Sequence, residues 1–278
     1  MQLVGVGGVG GVELEVHSMG VGQPVVLAQT ALTADELAPL AAHLVARGGY
    51  RAIVYHRRGY ALSSPVEGPG SVARDAADCR DLIAALGLDR VHVVGYSYSG
   101  AVGLQLAVDD AEHVHSLTLV EPPPLQVPAA AEFRAANDRL LEVRRARGPL
   151  AALEDFLVMV VGPHWRSEVE RCVPGAVQQM QNDVTTFFDT DLPALLSWRF
   201  DAQDARRVDC PVLYIGGQDS GPWFAQVRDL LLAWFPTAED VVLTGADHSL
   251  TLTHAPQMAD ALVDFLDRHP IAAGDEAS

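Results

Sequence analysis

The sequence predicts an α/β fold: a mostly parallel central sheet flanked by helices, with one helical insertion. Three observations carry that prediction. Short apolar runs recur along the chain, of the kind that parallel strands buried on both faces require. Amphipathic stretches of helical period separate them. The alternation stops once, between Val120 and Pro211, where only helical patterns appear. The expected division is a core over 1–121 and 206–270, a helical segment over 122–205, and a disordered tail over 271–278.

The elements follow in order. The opening "GVGGVG" at 5–10 matches a dinucleotide-binding spacing, but a strand pattern follows it where a helix is needed. A flexible or hairpin-like turn fits better. "VELEVH" (12–17) alternates with period two, as a strand does. "PVVLA" (24–28), "RAIVY" (51–55), "VHVVG" (91–95), "SLTLV" (116–120), "PVLYI" (211–215) and "DVVLT" (240–244) are the apolar runs. Thr33 to Glu36 reads as a capping box opening a helix to about Ala46. Val72, Ala76, Cys79, Leu82, Ile83 and Leu86 form one face of a helix over 71–87. Another helix starts after Ser97, and two more cover about 222–235 and 256–268. "PPPLQVP" (122–128) resembles a hinge, followed by helical patterns near 131–146, 150–160, 167–181 and 183–198.

Composition limits the function. The 278 residues are 49% hydrophobic, enough for a sizeable core, and carry a formal net charge of −17. Such a chain repels phosphate backbones and anionic membranes, so neither nucleic acid nor membrane is an expected partner. The three cysteines, Cys79, Cys172 and Cys210, are far apart and suggest neither a disulfide framework nor a zinc site. No metal and no cofactor are expected. The opening residues lack a basic n-region, and no run reads as a membrane span, so the expected location is cytoplasmic.

The chemistry centres on "VHVVGYSYSGAVGLQLA", Val91 to Ala107. A nucleophile elbow reads G-x-S-x-G on a sharp strand-to-helix turn; here Ser99 stands at the last position. The positions two before and two after the nucleophile must be small because they crowd each other, and Gly95 and Ser99 are both small. Ser99 is therefore expected to replace glycine structurally, with Ser99→Gly close to neutral. A serine nucleophile needs a base, and the base an orienting carboxylate. In a parallel sheet both should come from loops at the carboxyl ends of strands. "TGADHSL" places His248 after the last strand, and "IGGQDSG" places Asp219 after the one before. Glu121 also follows a strand, but its place beside Pro122 suits a hinge or salt bridge, so Asp219 is the expected acid. Most of the other histidines are expected at the surface.

With these residues in place, the chain resembles the α/β-hydrolase superfamily over about 10–270. "GYRAIVYHRRGYALSS" is similar to that family's D-x-R-G-x-G-x-S segment, with His56 where aspartate is common. The elbow, acid and histidine segments match in the family's order, nucleophile, acid, histidine. The resemblance implies Ser97 as nucleophile, His248 as base, Asp219 as acid, and 122–205 as a cap domain. It departs at Gln29-Thr30, where the family often has His-Gly. An oxyanion hole needs two donors; the first is expected from the Tyr98 N–H, the second from Ala31 or Thr30. Gln29 either adds a side-chain donor or supports the loop, and Tyr96 is a candidate pocket residue.

The expected activity is hydrolysis, through an acyl-enzyme, of a small to medium apolar ester, thioester, lactone or related carbonyl compound. Lyase, perhydrolase or C–C hydrolase chemistry, or a receptor-like binding protein, are alternatives on the same fold. The insertion carries Phe156, Met159, Trp165, Met180, Phe187, Phe188, Trp198 and Phe200, of which most are expected in its own core and some around the substrate. The partner is thus a small apolar molecule, and a homodimer is compatible with the sequence.

Overall fold

The computed structural model describes residues 1–7 and 11–272. Eight strands form one sheet: β1 (Gln2–Val6), β2 (Val12–Gly20), β3 (Gln23–Ala28), β4 (Tyr50–Tyr55), β5 (Val91–Tyr96), β6 (Val114–Val120), β7 (Val212–Gly217) and β8 (Glu239–Leu243). Their order across the sheet is β1-β2-β4-β3-β5-β6-β7-β8. β3 to β8 run parallel, while β1 and β2 are antiparallel to their neighbours. β1 was not expected; it forms an edge hairpin with β2, and the hairpin-like reading of the opening glycines agrees except at 8–10, which lie outside the described residues. The tail expected to be disordered is described only at 271 and 272.

Side chains alternate across each strand, so the two faces of the sheet feed separate cores. Val25 and Leu27 of β3 pack with α1 (Ala38–Arg47) and α12 (Ala255–Arg268), through Leu40, Leu44, Met258 and Phe265. Val26 and Ala28 face the opposite layer, made by α2 (Val72–Ala85), α3 (Tyr98–Asp109) and α10 (Pro222–Trp234). Each fully buried leucine or phenylalanine stabilises this sandwich by roughly 1.5–3 kcal/mol.

Helix starts correct one expectation. Ser71 caps α2, its side chain accepting from the Arg74 N–H at 3.0 Å. Thr33 and Glu36 do not form a capping box: α1 begins later, with Leu37 at its N-cap and proline in its first turn. The Glu36 side chain turns inward instead and accepts from Thr251 of the short helix α11 (Leu250–Thr253) at 2.8 Å.

Between β6 and β7 lie α4 (Ala130–Arg147), α5 (Pro149–Val160), α6 (Trp165–Cys172), α7 (Ala176–Thr186), a π-helical turn at Phe187–Asp191, α8 (Leu192–Ser197) and α9 (Ala202–Ala205). The single helix expected over 167–181 is two, because Pro174 and Gly175 interrupt it; Gly175 has φ 87°. Trp165, Met180 and Phe188 form a core of this segment, and Leu32 from the loop after β3 and Leu252 of α11 join it. The segment is thereby seated over the carboxyl edge of the parallel strands.

Candidate active site

Sheet register sets the site. Ala28 of β3 pairs with Gly95 of β5, which pairs with Leu119 of β6; Val120 pairs with Ile215 of β7. Continuing each strand by a residue or two brings Thr30, Ser97, Glu121 and Gly216 level along the carboxyl edge. Among the described residues four non-glycine residues have positive φ, and three of them are here: Leu32 (73°), Ser97 (50°) and Glu121 (41°). Such backbone costs about 1–3 kcal/mol per residue and persists only where the surroundings enforce it.

The elbow is formed. Ser97 sits at the N-cap of α3 with φ 50° and ψ −119°. A Cβ on Gly95 would lie 2.3 Å from the Ser99 carbonyl oxygen, so only glycine fits there. Ser99, however, is more than a small residue. Its hydroxyl is fully buried, donates to the Ala28 carbonyl at 2.7 Å and accepts from the Tyr96 N–H at 2.9 Å. It ties the end of β3 to the elbow, which a glycine does not do.

His248 Nε2 is 3.3 Å from the Ser97 hydroxyl, within reach for proton transfer. Its Nδ1 lies 2.7 Å from Glu121 Oε2. The Asp219 expectation is therefore corrected: Asp219 is exposed in the loop after β7, and the carboxylate at His248 is Glu121. Glu121 directly follows the strand adjacent to β5, and its positive φ turns the side chain toward the histidine. It is 0% exposed, and its second oxygen accepts from the Gly217 N–H at 2.7 Å. Both oxygens are thus occupied, which fixes the carboxylate plane. The imidazole is stacked on Phe224 with ring centroids 4.1 Å apart, and the Tyr96 hydroxyl donates to the His248 carbonyl.

The loop after β3 is held by Arg57, which is 3% exposed. Its guanidinium donates to the carbonyls of Gln29 and Thr30, each at 3.1 Å. All peptide bonds described are trans, so a Thr30 carbonyl turned to Arg57 sends the Ala31 N–H the opposite way. Ala31 and Ser97 together border the cavity. Tyr98 is the first residue of α3, where a backbone N–H has no intrahelical acceptor. Gln29 supplies no donor to the cavity: its side-chain oxygen accepts from the Arg57 N–H at 2.7 Å, and it is absent from the cavity wall.

Arg57 is paired with two buried carboxylates, Asp75 of α2 at 2.8 Å and Asp191 of the π-helical turn at 2.5 Å. Tyr60 donates to Asp191 and Tyr98 to Asp75. The guanidinium also lies over the Tyr98 ring, 4.3 Å from its centroid. Burial opposes charge on Arg57, but the carboxylates outweigh it and push its pKa further up. Burial raises that of Asp191, with the arginine pulling the other way. This cluster was missed from the sequence because its members come from positions 57, 75 and 191.

The cavity has two lobes meeting at Ser97 and His248. One, spanning about 490 Å³ with its mouth open to solvent included, is bordered by Thr33, Glu36, Tyr96, Leu157, Val161 and Leu252 among others. The other, about 630 Å³, is bordered by Phe133, Met159, Phe187, Leu195, Trp223 and Phe224 among others. Of the aromatic and methionine candidates, Phe156, Met159 and Phe187 reach a lobe, while Trp165, Met180, Phe188, Trp198 and Phe200 are buried in the packing. Trp223 and Phe224 were missed; they open α10 just after the loop that follows β7, a strand-end position of the kind that supplied the other candidates. His92 departs from the surface expectation: it is 0% exposed in β5, its ring bonded to the Ser116 hydroxyl at 2.7 Å.

A family model described as "Alpha/beta hydrolase family" matches residues 17–263. Among curated relatives, "Putative carbamate hydrolase RutD" of Variovorax paradoxus is 27% identical over 79% of this chain and 82% of its own. "Putative non-heme chloroperoxidase" of Synechocystis is 25% identical over 92% and 95% of the two chains. Among solved structures, an esterase from Thermogutta terrifontis superposes with a TM-score of 0.80 at 20% identity, covering 97% of this chain and all of its own. The enol-lactonase from Burkholderia xenovorans gives 0.75 at 22% identity, covering 96% of this chain and 100% of its own.

Proposed function

The chain belongs to the alpha/beta hydrolase family of enzymes, and from that premise we propose that it is a serine hydrolase using Ser97, His248 and Glu121 through an acyl-enzyme. One observation carries the proposal: His248 bridges the Ser97 hydroxyl and the Glu121 carboxylate at the meeting point of two apolar lobes. Glu121 holds the proton on Nδ1, which leaves the Nε2 lone pair free for the Ser97 proton. Ser97 then attacks a carbonyl whose oxygen is received by the Tyr98 and Ala31 N–H groups. The protonated imidazole returns the proton to the leaving group, and water repeats the sequence on the acyl-enzyme.

Two lobes suit a substrate with an apolar arm on each side of the scissile carbonyl, an ester, thioester or lactone of small to medium size. The names of the esterase, enol-lactonase and carbamate hydrolase relatives support carbonyl hydrolysis. The net charge of −17 disfavours polyanionic substrates. The test is labelling by a fluorophosphonate probe with mass spectrometry of the adduct. Ser97 should carry the label. Ser97→Ala should fold, lose the label, and lose roughly 10⁴–10⁶ in turnover on an ester panel. A folded Ser97→Ala enzyme retaining a tenth of wild-type turnover would overturn the assignment.

A further inference from the structure

Glu36 is a buried carboxyl at the cavity that the proposed reaction does not use. It lies on the loop between the Ala31 donor and α1, it is only 9% exposed, and it borders the lobe of Thr33, Leu157 and Leu252. Its Oε1 accepts from the Thr251 hydroxyl at 2.8 Å, three residues after His248. Among the described residues no ion pair includes it, and the Thr33 hydroxyl, which also lies close to the carboxyl, is bonded to the Met180 sulfur at 3.2 Å. The Tyr96 hydroxyl beside it is committed to the His248 carbonyl. The remaining wall of this lobe is mostly leucine, valine and phenylalanine.

A buried carboxyl with no cation beside it favours its neutral form. Burial pushes the Glu36 carboxyl above its usual range, with the Thr251 hydroxyl, the His248 ring and the nearby Tyr96 and Thr33 hydroxyls pulling it back only in part. A neutral carboxyl that accepts at Oε1 carries its proton on Oε2. It then offers a donor to a chamber whose wall is mainly apolar, and whose nearest other hydroxyls, Thr33 and Tyr96, are already bonded to Met180 and the His248 carbonyl. An apolar chamber with one oriented donor discriminates strongly, because a substrate that fails to meet the donor leaves it unpaired.

We propose that Glu36 is a specificity-determining residue whose Oε2–H donates to an uncharged oxygen acceptor, an ether, ketone or hydroxyl, on the substrate arm that enters this lobe. The inference rests on the serine-hydrolase reading, and it narrows the substrate from an apolar ester to one carrying a second oxygen function a few atoms from the scissile carbonyl.

The test uses matched ester pairs of equal length, one member with a methylene and one with an ether oxygen in its place, the change made in turn in the acyl and alcohol arms. Specificity ratios in kcat/KM are read for wild type, Glu36→Gln and Glu36→Leu. Affinities of the corresponding unreactive ketones are read by calorimetry, which needs no turnover. Wild type should favour the oxygen-bearing member by at least about tenfold at one position. Glu36→Gln still has a donor and should keep the preference, while Glu36→Leu should reverse it. A preference unchanged in Glu36→Leu overturns the proposal. So does an amine-bearing member that binds best and fails with Glu36→Gln, because Glu36 would then act as an anion. Absence of fluorophosphonate labelling at Ser97 would defeat the hydrolase reading alone, and the affinity ratios would still decide the role of Glu36.

Discussion

Replacing Glu121 with glutamine separates the two acids that the sequence offers. Glu121 accepts twice, from His248 Nδ1 at 2.7 Å and from the Gly217 N–H at 2.7 Å, at 0% exposure. Glutamine has one acceptor and one donor group at the same positions. If its oxygen takes the Gly217 N–H, its amino group faces Nδ1 and drives the histidine into the tautomer protonated at Nε2. That tautomer has no lone pair for Ser97, and the expected loss in kcat is roughly 10⁴-fold. If the amide turns over, the histidine is served and the Gly217 N–H is left buried against a donor, costing about 1–3 kcal/mol of stability. Glu121→Gln therefore loses either rate or stability. Asp219→Asn, on an exposed loop residue, should change each little. The assay is steady-state hydrolysis of a chromogenic ester beside thermal melting of both variants. Glu121→Gln with turnover within tenfold of wild type and an unchanged melting point, together with a large loss in Asp219→Asn, would refute the reasoning.

Ser99→Gly should lower stability by about 1–3 kcal/mol in chemical denaturation, since the Ala28 carbonyl and the Tyr96 N–H lose a buried partner. The small stability change expected from the sequence allowed the hydroxyl only a local backbone bond, whereas it also bonds the Ala28 carbonyl, 71 residues away. Asp191→Asn should cost about 3–5 kcal/mol, because it leaves Arg57 buried with half its charge partners. The folded fraction of that variant should also show a kcat loss through the loosened Thr30 carbonyl, with KM less affected. His92 is held neutral by burial, its pKa pushed down to about 3 from 6.5. Below 6.5 the unfolded chain binds a proton that the native state refuses, so this residue contributes a fall in stability as pH drops, at up to about 1.4 kcal/mol per pH unit. Its ring resonances should not titrate between about pH 5 and 8 in an NMR titration; a midpoint near neutrality would contradict the buried placement.

The interior strands were legible because burial on both faces writes itself as apolar runs. β1 was not, since it forms the sheet's outer edge and most of its side chains are exposed. That Ser97 and His248 meet at the carboxyl edge was legible from strand-end placement. The carboxylate beside His248 was not legible, because two strands end in a carboxylate and which one reaches the ring depends on the backbone turn at Glu121, which nothing local in the sequence marks. At the Gln29 departure from the family pattern, the side-chain oxygen is bonded to the Arg57 N–H. Pairings such as Arg57 with Asp191, 134 residues apart, are tertiary facts without a spacing to search for.

The π-helical turn at Phe187–Asp191 has a consequence for anyone altering this protein's substrate range. Its first residue borders the larger lobe and its last grips Arg57. An enlarged or reduced side chain at Phe187 strains the same five-residue turn that holds Arg57 against the loop after β3. Breadth of substrate and speed of turnover are therefore inherited together at this position, and a library randomised there samples both traits at once. Phe133, on α4, borders the same chamber without sharing a turn with Asp191, and is the place where one trait moves without the other.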